Sequence, residues 1–309
     1  FLSLAFEQAK VNLGSTATNP SVGCVVEKDG VLLSSGRTSI KGRPHAEFNA
    51  LKKKINFKNS NIYITLEPCS HYGVTPPCTN KIIKKKIKKV FFSIKDPDIR
   101  TYNKSLAIFK KNKISASTNI ISSEVNNFYR SYIKFKKKKF PFVTCKLAVT
   151  KDYYLNNRKN KNITNHFSRL RAHLLRYNHD CIFSSSSTVI DDNPRFTCRI
   201  PGLKKSSPAR VILDSSLKIP INYNIIQFAK KYRTIIFFNK INKKKIKILK
   251  KMNIKLFREP LCSDGNFDLK KILTKVKRLG FSRVLLECGL KLSLNFFKNK
   301  LVDDFYLFI

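Results

Sequence analysis

The 309 residues include no tryptophan, a single methionine and few acids, with 19 Asp and Glu set against 62 Lys and Arg. No stretch reaches the ~18 uninterrupted apolar residues that a membrane-spanning helix needs, because Lys or Asn breaks every apolar run. The first residues lack the charged and apolar regions of a cleavable secretory signal. Eight cysteines in a chain of this length fall short of the density of a disulfide-stapled secreted scaffold. These absences exclude a helical membrane protein and a small secreted module, and they imply reduced thiols in the cytoplasm. No internal repeat is present, and low complexity is confined to the lysine bias and the run Ser184–Ser187. The chain starts on Phe1 and stops within the apolar run Phe305–Ile309, so both ends read as truncated.

The formal net charge of +43 invites a nucleic-acid partner. The lysines, however, are spread along the whole chain among Ile, Asn and Phe. Runs such as Lys52–Lys54, Lys84–Lys86 and Lys136–Lys139 are therefore read as solvated faces, not as a polyanion groove. Hydrophobic residues make up 42% and include 24 Phe, enough for sizeable cores. The length is about twice the usual ~150-residue domain and predicts two domains.

Apolar spacing predicts a helix over 2–13, a hairpin around Lys28-Asp29-Gly30, a helix over 45–54 and a strand over 62–66. A helix over 81–88, a strand over 90–94 and a helix near 122–132 follow. The Lys136–Lys139 run with Pro141 is the linker candidate, dividing the chain into 1–139 and 140–309. The pattern restarts with strands at 142–150, 180–183, 210–213, 234–238 and 284–286 and a helix over 167–177. Such alternation implies two layered α/β domains.

Pro44-His45-Ala46-Glu47 opens one predicted helix, and Cys69 and Cys78 bracket a loop after the next strand. One imidazole and two thiolates suit zinc and leave a fourth position for water, as catalytic zinc requires. Glu47, two residues beyond His45, is placed to carry protons to and from that water, whose pKa zinc lowers toward ~7. A structural site, with His71 as fourth ligand, is the alternative and would leave Glu47 idle. His-x-Glu with a downstream Pro-Cys is the signature of zinc nucleobase deaminases, although the second cysteine follows here after eight residues instead of two.

The segment Thr65-Leu66-Glu67-Pro68-Cys69-Ser70-His71-Tyr72-Gly73-Val74-Thr75-Pro76-Pro77-Cys78, with Asn19-Pro20-Ser21-Val22-Gly23-Cys24 and His45-Ala46-Glu47, closely resembles the bifunctional riboflavin-biosynthesis deaminase/reductases. The resemblance covers essentially the whole chain. It implies a cytidine-deaminase-like three-layer α/β/α domain followed by a dihydrofolate-reductase-like α/β domain whose last strands lie beyond Ile309. The first domain would deaminate 2,5-diamino-6-ribosylamino-4(3H)-pyrimidinone 5′-phosphate with zinc, and the second would reduce the ribosyl chain to ribityl with NADPH. It also implies a homo-oligomer acting on a small molecule, without a membrane or nucleic-acid partner.

Carried over by position, His45, Cys69 and Cys78 hold zinc, Glu47 shuttles protons and Asn19 holds the pyrimidine. Glu67 and His71 order the metal loop, and Cys24 packs. Asn103 and Ser105 fall near places where the family has glycine after Asp96-Pro97. In the second half, Ala148, Asn162, Thr188, Asp192, Ser215, Gly289, Leu290, Lys291 and Leu292 fall at NADPH positions, the last four at a strand-to-helix corner that receives a pyrophosphate. Arg176, Phe196, Arg199 and Glu287 fall at substrate positions. Tyr153 and Tyr154 stand where the family has a Gly and a basic residue, and Lys291 stands where it has a small residue.

Overall fold

The computed structural model describes residues 1–155 and 164–309, which form two compact units, Phe1–Lys138 and Lys139–Ile309. The first unit runs α1 (Leu2–Val11), β1 (Gly23–Lys28), β2 (Val31–Arg37), α2 (Ala46–Ala50), β3 (Asn61–Leu66), α3 (Cys78–Lys84), β4 (Lys89–Ile94), α4 (Lys104–Lys111), β5 (Ser115–Thr118) and α5 (Ser122–Lys137). Its five-stranded sheet has the order β2-β1-β3-β4-β5, with β1 antiparallel to both neighbours and β3, β4 and β5 parallel.

Strand alternation sorts the helices onto two faces. Leu2, Ala5, Phe6 and Ala9 recur at helical spacing, so α1 buries one stripe. Leu2 and Ala5 pack on Val25, and Phe6 meets Phe128 of α5 edge-on at 5.3 Å. A Cβ at Gly23 would sit 1.8 Å from the Ala5 carbonyl oxygen, so only glycine lets α1 lie this close to β1. Cys24 and Val26 point the other way, toward Ala46 and Ala50 of α2, which is flanked by α3 and then α4. The unit is a three-layer α/β/α sandwich.

Several elements differ from the sequence expectation. The helix predicted over 45–54 stops at Ala50, because the chain turns through the exposed Lys52–Lys54 to bury Phe57 in the core. α3 starts at Cys78, three residues early, since Pro76 and Pro77 straighten the chain just before it. α5 continues through Lys136 and Lys137, where the linker was expected, because Tyr129 and Tyr132 extend its buried stripe. The spacing analysis missed α4 and β5.

The second unit runs β6 (Phe142–Ala148), α6 (His166–Tyr177), β7 (Cys181–Ser185), α7 (Ser186–Asp192), β8 (Ala209–Leu213), α8 (Asn224–Gln227), β9 (Thr234–Phe238), α9 (Lys243–Lys251), β10 (Ile254–Arg258), α10 (Leu269–Arg278), β11 (Arg283–Leu286), α11 (Leu290–Lys298) and β12 (Asp304–Phe308). The sheet order is β10-β9-β8-β7-β11-β6-β12, and every neighbouring pair is parallel. A parallel sheet is buried on both faces and reads as unbroken apolar runs, as in Thr234–Phe238. Phe183, Val211 and Phe237 face a core shared with α10 and α11, while Ile182, Ile212 and Ile236 face one shared with α6, α8 and α9. Among the described residues no helix is long and apolar enough to cross a membrane.

Candidate functional site

His45 sits in extended backbone at the N-cap of α2, Cys69 lies in the loop after β3, and Cys78 is the first residue of α3. Their donor atoms gather within 4.8 Å of one another. His45 Nδ1 lies 3.6 Å from Cys69 Sγ and 3.4 Å from Cys78 Sγ, and the Cys78 backbone N–H donates to Cys69 Sγ at 3.3 Å. Hydrogen bonding to Cys78 and His45 holds the Cys69 thiol down at about 4, while Cys69 and burial push Cys78 up. One borderline nitrogen and two sulfurs within bonding reach of a common centre are a donor set that fits zinc, and three protein ligands leave a fourth position open. His71 does not join the group. Its Nδ1 pairs with Thr101 Oγ1 at 3.1 Å, and the donor cluster among the described residues holds His45, Cys69 and Cys78 without a fourth protein ligand.

Glu47 lies in the first turn of α2, 4% exposed, and lines the same cavity as His45 and Cys69. Burial, reinforced by the Cys69 thiolate, raises its carboxyl to about 7, within range of proton exchange near neutrality. A cation held by the triad works in the opposite direction. The cavity has a volume of about 330 Å³ and is also lined by Asn19, His71, Asp96, Asp98, Arg100 and Lys136. Asn19 Nδ2 donates to the Gly42 carbonyl at 2.8 Å, which fixes the direction of the side-chain amide.

Glu67 binds no metal ligand. Its carboxylate accepts from the backbone N–H groups of Asp96, Asn103 and Ser105 at 3.1, 3.2 and 3.2 Å, and from Ser105 Oγ at 2.7 Å. It therefore pins the loop that carries Asp96 and Asp98 against the end of β3. Asn103 within that loop has φ +60°, the left-handed region where glycine is favoured and asparagine is the best-tolerated substitute. Sequence reasoning missed Asp98, Arg100, Tyr132 and Lys136 as wall residues. Lys136 belongs to a run read as solvated, and only the helix register turns it inward.

In the second unit, a cleft of about 590 Å³ is lined by Ser185–Ser187, Ser215, Asp264–Phe267, Gly289–Leu292 and Lys298. Four of the expected cofactor residues, Gly289, Leu290, Lys291 and Leu292, stand together where α11 begins, and Ser215 joins them. The Gly289 N–H donates to Thr188 Oγ1 at 3.1 Å, which draws Thr188 to the same corner. Ala148 ends β6 beside β12, and Asp192 ends α7. Neither lines the cleft. Asn162 lies outside the described residues. The Ser184–Ser187 run, read as low complexity, is the turn from β7 into α7, with the Ser185 side chain capping Thr188 N–H.

The expected substrate residues rearrange. Arg176 and Glu287 were given separate contacts, yet they pair with each other, Nε to Oε1 at 2.8 Å and Nη2 to Oε2 at 2.7 Å, while Arg176 Nη1 reaches the Thr197 carbonyl at 3.3 Å. The buried carboxylate requires a bidentate cation, so this guanidinium is largely spent within the fold. Phe196 turns inward. Its ring is 4% exposed within the core beside Leu175 and Ile182, leaving only its backbone, at φ +50°, to offer a ligand. Arg199 is exposed near Arg176 and Glu287. Tyr153 has φ +64°, in the left-handed region that favours glycine.

Comparison with known proteins agrees with this geometry. The cytidine and deoxycytidylate deaminase zinc-binding region matches residues 1–94, and the RibD C-terminal domain matches residues 141–309. Riboflavin biosynthesis protein RibD of Aquifex aeolicus is 33% identical over 312 residues, covering 100% of this chain and 85% of its own. The Bacillus amyloliquefaciens protein of the same name is 30% identical over 100% of this chain and 83% of its own. Among solved structures, RibD of Acinetobacter baumannii superimposes with TM-score 0.87 at 28% identity, over 98% of this chain and 84% of that one. The diaminohydroxyphosphoribosylaminopyrimidine deaminase/5-amino-6-(5-phosphoribosylamino)uracil reductase of Thermotoga maritima does so with TM-score 0.84 at 30% identity, over 97% and 83%. Fold and site thus define a two-domain enzyme, a zinc-dependent deaminase joined to an NADPH-dependent reductase. The chain belongs to the RibD family of riboflavin-biosynthesis proteins, the bifunctional deaminase/reductases.

Proposed function

We propose that the first unit converts 2,5-diamino-6-ribosylamino-4(3H)-pyrimidinone 5′-phosphate to its deaminated product and that the second reduces the product's ribosyl chain to ribityl. The observation that carries the reading is the convergence of His45 Nδ1 and the two thiols beside a buried Glu47 in one cavity. His45, Cys69 and Cys78 hold zinc, which when bound supplies an acidified water as nucleophile. Glu47, buried beside the triad in the same cavity, would hold and move the proton between the nucleophile side and the leaving amine. Asn19, oriented by Gly42, hydrogen-bonds the pyrimidine edge.

In the second unit, the backbone N–H groups at the start of α11, with Thr188, Ser215 and Lys291, hold the NADPH phosphates at a positive helix end. NADPH supplies the hydride. Arg199 faces the substrate, and the Arg176–Glu287 pair shapes its pocket, instead of each side chain binding substrate alone. The enzyme acts in the cytoplasm as a homo-oligomer, on small molecules and without a nucleic-acid partner. Metal analysis tests the triad. Purified protein is expected to carry one zinc per chain, Cys78→Ser to lose it and Glu47→Gln to keep it. Full zinc in Cys78→Ser would refute the ligand assignment.

A further inference from the structure

Lysine runs that look scattered along the chain are gathered by the topology of the first unit. β3, β4 and β5 are parallel, and Asn61, Lys89 and Ser115 stand in one row across them. The antiparallel β1 brings Glu27 opposite Asn61, so the β1–β2 hairpin tip, with Lys28 opposite Val31, ends at the same edge of the sheet. In a parallel sheet every connection returns to the amino ends of the strands, so the segments that enter β3, β4 and β5 all meet there. Residues 52–58, 84–89 and 110–113 carry four, four and three exposed lysines and no acid. The hairpin tip adds Lys28 and a single acid, Asp29. Among the described residues none of these lysines pairs with a carboxylate.

Helix ends explain only part of this. Lys84, Lys110 and Lys111 lie in last turns, where a cation suits the negative end of the helix dipole. That effect fades within a turn and does not reach Lys58, in the loop before β3, or Lys89, within β4. Lys86 and Lys113 have φ +55° and +57°, the left-handed region where a turn favours glycine, so the chain keeps a cation at two positions suited to another residue. Apolar tips stand among the charges: Val31, Leu32 and Ile55 are 64%, 48% and 41% exposed. The metal loop and Asp96 follow the opposite ends of β3 and β4, which places the deaminase cavity about 20 Å away along the strands.

We propose that this edge of the first unit rests on an anionic phospholipid bilayer, as a peripheral contact that needs no spanning helix. Lysine ammonium groups meet the headgroup phosphates as point charges, which requires no fixed geometry between them. Val31, Leu32 and Ile55 then reach the boundary of headgroups and acyl chains. A surface for nucleic acid interleaves aromatic rings for stacking and arginine forks for phosphates, and the segments at this edge expose neither. A protein partner would bury an interface core depleted in charge, which lysines at this density do not supply.

The test sediments the full chain with vesicles of phosphatidylcholine alone and of phosphatidylcholine with about one third phosphatidylglycerol, at about 0.15 M salt. Binding is expected to the anionic vesicles only, and to fall at least roughly tenfold near 1 M salt, where charges are screened within about 3 Å. This comparison needs no variant to fold. The triple variant Lys52→Gln, Lys53→Gln, Lys54→Gln should bind roughly 100-fold more weakly, at about fivefold per charge. Removing as many charges from α9, through Lys243→Gln, Lys244→Gln and Lys247→Gln, should change binding by less than about threefold, because the contact belongs to the face and not to the net charge. No sedimentation with anionic vesicles, equal binding to neutral ones, or an equal loss in the α9 variant would overturn the proposal. Release of the protein by a single-stranded oligonucleotide at a phosphate concentration equal to that of the anionic headgroups would assign the face to nucleic acid and overturn the lipid contact.

Discussion

Replacing Glu67 by alanine takes away the acceptor of four hydrogen bonds from Asp96, Asn103 and Ser105, in a residue 2% exposed. A hydrogen bond to a charged acceptor contributes about 1.5–3 kcal/mol, and donors left buried without partners cost a similar amount. The four bonds share one carboxylate whose own desolvation is relieved on removal, so the net loss is expected near 3–4 kcal/mol and not at the sum. Through the relation of ~1.4 kcal/mol per decade, local opening of the 96–105 loop should become roughly 100- to 1,000-fold more frequent. Native-state hydrogen exchange of the full chain reads this directly at the Asn103 and Ser105 amides. Glu67→Gln keeps one oxygen but turns an amide N–H₂ toward backbone donors, so it should fall between wild type and alanine. Protection within about threefold of wild type in Glu67→Ala would refute the claim that this carboxylate pins the loop.

Tyr153→Gly should stabilise the protein by about 0.5–1 kcal/mol, because glycine relieves a left-handed backbone angle that costs a β-carbon about 1–2 kcal/mol and forfeits part of the gain as unfolded-chain entropy. The side chain is 68% exposed, so little packing is lost, and a lower denaturation midpoint would contradict the strain argument. His179 is buried with Nδ1 against the Leu175 carbonyl and Nε2 against Thr144 Oγ1, and burial, helped by the Arg283 charge, lowers it to about 3. The folded value lies below the unfolded ~6.5, so its contribution is whole above pH 6.5 and is lost by about 1.4 kcal/mol per unit as pH falls toward 3. Denaturant midpoints between pH 7 and 5 should therefore drop more steeply for wild type than for His179→Gln. Parallel curves would contradict the neutral, buried assignment.

What could be read from the sequence divides by the range of the interaction involved. His45, Glu47, Cys69 and Cys78 stand out because ligand chemistry restricts residue type and because the segments carrying them, a helix start and the loop behind a strand, are local. The strand runs of the second unit, such as Thr234–Phe238, are visible because burial on both faces leaves no polar interruption. Lys-rich helices defeat spacing analysis. In α9 a single leucine, Leu249, is buried among lysines, which is too thin a stripe to stand out. Partnerships across sequence are equally hidden: Arg176 with Glu287, Glu67 with Ser105 and Asp98 with Lys136 join residues that carry no mutual signal along the chain. The cleft-lining Asp264–Phe267 turn was missed for the same reason, since only the tertiary fold brings it to the start of α11.

The most direct test of the bifunctional account supplies the diaminopyrimidinone ribosyl phosphate to the zinc-loaded full chain and follows ammonia release and NADPH oxidation separately, with Glu47→Gln alongside. The account predicts both signals in the unsubstituted protein. In Glu47→Gln both should be lost from the diamino substrate, by roughly 100-fold or more for ammonia, while NADPH oxidation returns when the deaminated product is supplied. Ammonia released at an undiminished rate by Glu47→Gln, or no ammonia from the unsubstituted protein, would contradict it.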